Sequence, residues 1–200
     1  SGTDALTRQP AAATVLSEAL IRFLSEEDSI SIEYLRHLLI AANYVLSKES
    51  IEELCSNALS KETIPIEVRQ TWQLLQFVNL PRTYCPLTIE SIDAKKVNDL
   101  LRFMSDLTRP EKNEPPENHL AIACFIIELA GPFTSPDSKD DFYFYSTLLS
   151  AINRLAGFPT DEATTMLKKL IENPNLLAWH SRLRNALSLQ TRLRCDQEFK

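Results

Sequence analysis

The stretch Glu117–Ala130, ENHLAIACFIIELA, constrains the fold more than any other part of the chain. From Leu120 to Leu129 the only charged residue is Glu128, and apolar residues fall on every side of a helical wheel. A helix that is apolar all round is buried all round or spans a membrane. The run covers about ten residues, too few for the roughly 20 that a bilayer needs. It therefore predicts a central core helix, walled by the one-sided helices that flank it in the chain.

Those flanking helices are legible from apolar spacing. Residues 1–10 read as a loose leader ending at Pro10, opened by a Ser1-Gly2 pair that has the look of a cloning scar. If so, the chain is an excerpt of something larger. A first helix is expected over about Ala11–Glu26, with Val15, Leu16, Ala19, Leu20, Phe23 and Leu24 on one stripe. Ser29 or Ser31 caps a second, Ile32–Leu46. Ser50 with Glu53 fits a capping box for a short third helix, and Pro65 opens a fourth carrying Val68, Trp72, Leu75 and Val78. Asp93 caps a fifth, Ala94–Leu107. After the core helix come one over DFYFYSTLLSAINRLAG, one capped by Thr160, and a last from about Leu176 towards Cys195. No segment alternates at period two for long enough to make a strand.

The predicted class is all-α. The helices pair at intervals close to those of helical-repeat arrays, but no repeat signature is present. Irregular stacked helical hairpins are expected, HEAT-like or MIF4G-like in architecture only, with a compact helical bundle as the alternative. Residues 11–200 read as a single all-helical domain, hinged at 109–118, where RPEKNEPPEN combines three prolines with mixed charge.

Composition narrows the chemistry. The chain has three glycines. One is Gly2, and Gly131 and Gly157 sit just past apolar helical runs, where a left-handed residue is wanted. None remains for a phosphate-cradling loop, which excludes a P-loop and a dinucleotide fingerprint. A net charge of −6 gives the whole chain no attraction to nucleic acid or an anionic membrane. Cys55, Cys85, Cys124 and Cys195 lie far apart, and Cys55 and Cys124 fall on apolar faces, where free cysteine packs as a small hydrophobe. Without a signal peptide or membrane span, reduced thiols in the cytoplasm or nucleus are expected.

No constellation of residues announces catalysis. His37, His119 and His180 belong to different helices, and no two histidines or cysteines have zinc-site spacing. Neither a metal nor another cofactor is expected. Glu128, alone in its apolar run, reads as an outward or paired carboxylate rather than a buried acid. The aromatic run Phe142-Tyr143-Phe144-Tyr145 cannot lie wholly on one face, because successive helical residues are about 100° apart. With Phe142, Tyr145, Leu149 and Ile152 inward, Tyr143 or Phe144 turns outward. Arg182, Arg184, Arg192 and Arg194 collect on the last helix beside Trp179-His180.

The expected function is a non-enzymatic protein–protein interaction domain, a scaffold or adaptor within a larger intracellular protein or complex. Its partner is another protein or peptide, met through Tyr143, Phe144, Trp179, Arg182 and Arg184, and not a membrane. The alternatives are an RNA- or DNA-associated scaffold using the arginine-bearing last helix, and an enzyme whose site assembles only in three dimensions.

Overall fold

A computed structural model describes residues 3–25, 31–79, 93–107, 116–137 and 142–198. Among them are nine α-helices and two short 3-10 segments, with no strand. In order they are α1 (Thr3–Ser25), α2 (Ile32–Val45), α3 (Lys48–Leu59), α4 (Ile66–Asn79), α5 (Ala94–Leu107), α6 (Pro116–Ala130), α7 (Phe142–Gly157), α8 (Asp161–Glu172) and α9 (His180–Glu198). The 3-10 segments are Gly131–Phe133 and Pro174–Trp179. The chain is all-α, and chain neighbours pack as hairpins. It divides into two compact units. The first holds residues 1–87 and 102–110, the second 88–101 and 111–200, so the division falls within α5.

In the first unit α1 packs on α2, α3 on α4, and α2 on α4. Its central helix is α4, where Trp72, Leu74 and Thr71 are fully buried and Leu75, Phe77, Val78 and Gln70 nearly so. The sequence suggests only a stripe here, because Gln70, Thr71 and Gln73 interrupt the apolar run. Thr71 resolves its own polarity by donating to the Glu67 carbonyl at 2.8 Å, a local bond that lets a hydroxyl sit in a core.

In the second unit α6 is buried almost all round, as the apolar run demands. Leu120, Ile122, Ala123, Cys124, Phe125, Ile127, Leu129 and Ala130 are all buried, while Ile126 and Glu128 are half-buried. Helices α7 and α8 wall it, and α9 packs on α7 and α8.

Helix starts follow familiar capping chemistry. Ser31, Asp93 and Thr160 accept from the backbone N–H three residues on, at 3.2, 2.8 and 3.2 Å. For α3 the expected cap is corrected. Ser47 caps it, accepting from Ser50 N–H at 3.2 Å, and Ser50 lies inside the first turn. Helix α1 begins at Thr3, well before Ala11. Most of the segment 109–118 lies outside the described residues, and α6 starts within it at Pro116, a favoured first-turn proline.

Helix ends depart from the glycine expectation. Neither Gly131 nor Gly157 adopts a positive φ. Long polar side chains from neighbouring helices take up the carbonyls there instead. Arg69 donates to the carbonyls of Leu59 at 3.3 Å and Lys61 at 2.8 Å, closing α3 with a cation where the helix dipole is negative. Asn43 donates to the Leu107 carbonyl at 2.9 Å and accepts from Asn79 at 2.8 Å, so one amide pair joins the ends of α4 and α5. Gln190, fully buried on α9, donates to the carbonyls of Leu155 at 3.1 Å and Phe158 at 2.7 Å, and accepts from the Thr164 hydroxyl at 2.7 Å.

Candidate functional site

The aromatic run opens α7, whose inward face is set by Leu148, Ala151, Ile152, Leu155 and Ala156, all buried. Stepping back from Leu148 by one helical turn reaches Phe144, which is 3% exposed. The expectation of an outward Phe144 is therefore corrected. The face is rotated by about one residue relative to the sequence reading, and Tyr145 and Leu149 are half-buried at its edge. The side chains of Phe142 and Tyr143 lie outside the described ones.

Trp179 is corrected in the same way. It closes the 3-10 segment before α9 and is fully buried. Its indole N–H donates to the Thr134 carbonyl at 3.0 Å, and its ring lies 6.0 Å from that of Tyr145. An amphipathic ring with its one donor satisfied is a packing pin of this unit. Phe144 and Trp179 thus present no face to a partner.

The arginines divide. Arg194 is taken up internally, pairing with Asp161 at 2.7 Å and donating to Thr164 at 3.3 Å. Arg182, Arg184 and Arg192 lie on the exposed arc of α9. Arg182 donates to the Tyr145 hydroxyl at 3.4 Å and Trp179 lies near the same ring, so two of the expected partner residues, Trp179 and Arg182, share one neighbour. The sequence reading omitted Leu189, which is 49% exposed on the same arc. Its signal was available, since the buried residues Leu183, Ala186 and Gln190 define the opposite face at helical spacing.

Glu128 and the three histidines make structural contacts. Glu128 is a paired carboxylate, 3.0 Å from Lys169. His119 meets Arg154 at 3.4 Å, His37 bonds the Glu33 carbonyl at 2.8 Å, and His180 lies 3.4 Å from the Asn173 carbonyl. Among the described residues no three His, Cys, Asp or Glu side chains are grouped to hold a metal ion.

Cys55, Cys124 and Cys195 are free. Burial pushes the Cys55 thiol up to about 12, with Glu52 adding to it, and Cys55 donates to the Trp72 carbonyl at 3.9 Å. Burial likewise pushes Cys124 up to about 12, reinforced by Glu128 and opposed by Lys169. A thiol held protonated is a poor nucleophile. No helix among the described residues is long and apolar enough to cross a membrane.

Comparison with protein-family models, curated proteins and solved structures finds no match to this chain.

Proposed function

We propose that this chain is a non-enzymatic protein-interaction domain, a scaffold or adaptor belonging to a larger intracellular protein or complex. The observation that carries the reading is how its polar side chains are used. Arg69, Asn43, Asn79, Gln190, Trp179 and Arg194 reach across the fold and end on helix-terminal groups or on one another. They hold helices in place, and where two of them meet, Gln190 and Arg194 at the Thr164 hydroxyl, the contact joins α8 to α9. The outer face of α9, by contrast, keeps Arg182, Arg184, Arg192 and Leu189 exposed. Arginine beside an apolar side chain is common at protein interfaces. A reducing compartment, cytoplasm or nucleus, suits a chain whose described cysteines are free.

The test is affinity capture from cell extract with the chain as bait, followed by reconstitution of the leading candidate from purified components. A complex of fixed stoichiometry by sedimentation is the expected result. Recovery only of nucleic acid, lost after nuclease treatment, rejects the reading, as does failure of every captured protein to reconstitute.

A further inference from the structure

Between His180 and Cys195, α9 carries four arginines and no acidic residue, in a chain whose acids outnumber its bases 27 to 21. With Arg194 committed to Asp161 and Thr164, the cationic character that faces outward comes from Arg182, Arg184 and Arg192. Arg182, Asn185, Leu189 and Arg192 follow one another at helical spacing along a single exposed stripe. Ten residues of helix make that stripe about 15 Å long. Leu189 stands between the two end arginines, and Arg182 also lies 3.4 Å from the Tyr145 hydroxyl. Asp196 stands one turn beyond Arg192 and limits the cationic stretch at that end.

We propose that this face docks an acidic peptide segment of another protein, in which Asp or Glu residues flank a large apolar side chain. The proposal rests on the interaction-domain reading and names the chemistry of its partner. Carboxylates match the planar fork of a guanidinium, and the apolar side chain covers Leu189, which ion pairing alone leaves in water. That second requirement favours a peptide over a nucleic acid. A phosphate backbone answers the arginines but not the leucine. The exposed leucine beside the arginines therefore selects the partner.

The experiment selects a displayed library of random short peptides on the full chain, then measures the enriched peptides by fluorescence anisotropy at low and high salt. Arg182→Gln with Arg192→Gln, and separately Leu189→Ser, change exposed residues, and thermal melts confirm that the fold is kept. The expected consensus pairs acidic residues with a large apolar one. Its affinity falls with salt, by roughly tenfold or more in the arginine double variant, and measurably in Leu189→Ser. An empty selection, a consensus without acid, or acidic peptides indifferent to all three substitutions overturns the proposal. Indifferent peptides leave the interaction-domain reading standing, whereas a bait that reconstitutes with no protein removes both. Single-stranded RNA bound by the chain and released in the double variant reassigns the face to nucleic acid. Self-association dissolved by the same variant reassigns it to a second copy.

Discussion

Gly131 and Gly157 each follow an apolar helical run, yet a methyl group has opposite consequences at the two positions. A Cβ at Gly131 would meet the Cδ2 of Leu176, which is fully buried and has little room to withdraw. Gly131→Ala is expected to destabilise the fold by about 1–3 kcal/mol, as overpacking does. A Cβ at Gly157 meets nothing, and its φ is not left-handed. Gly157→Ala is expected to stabilise by about 0.4–1 kcal/mol by narrowing the unfolded ensemble. Urea unfolding reads both signs, and a stabilising Gly131→Ala rejects the close approach. The thiols give a second prediction. In a Cys85→Ser background, a disulfide reagent at neutral pH is expected to modify Cys195 in the folded chain, and Cys55 and Cys124 only on unfolding. Rapid labelling of all three contradicts the burial. Cys55 and Cys124 ionise near 9.0 ordinarily and near 12 here. The folded state binds the extra protons in that window, so their stabilising contribution is full below about pH 9 and is lost as pH rises towards 12. Replacing both with alanine is expected to flatten the loss of stability across that range.

Within an element, one residue's step along the chain decides between core and edge. Ile127 is fully buried on α6, while Ile126 beside it is half-buried. Ile127→Asp is expected to cost about 4 kcal/mol or more, since it places an unpaired charge in the core, and Ile126→Asp is expected to cost clearly less. Equal melting temperatures for the two would mean that α6 is not packed in this register. The same step explains the α7 misreading. Four aromatics in a row carry no phase of their own, and Leu148 and Leu155 downstream set which of them turns inward. Trp179 was misplaced for a different reason. Its partners, Thr134 and Tyr145, lie 45 and 34 residues away in the chain, beyond the reach of local spacing.

Across the molecule, each unit is organised around one helix, α4 in the first and α6 in the second. Amide hydrogen exchange is expected to be slowest in peptides from these two, whose backbone is covered by neighbours on several sides. Faster exchange in α6 than in the solvent-facing α9 would contradict that arrangement. Of the two, only α6 announced itself in the sequence, because an apolar run has the same meaning wherever it is placed. Helix α4 hides its centrality behind Gln70, Thr71 and Gln73, which become tolerable only when a fold covers them. What the sequence determined alone is what depends on local chemistry: the all-α class, the positions of most helices, the caps at Asp93 and Thr160, and the burial of α6. The tertiary structure decided what depends on distant partners. It divided the chain into two units, chose Phe144 over Tyr145 for the core, and buried Trp179. It also set Gln190 on the carbonyls at the end of α7, where a left-handed Gly157 was expected. Periodicity along a helix says that a side has an inside, but which residues meet there is fixed only when other helices arrive to cover it.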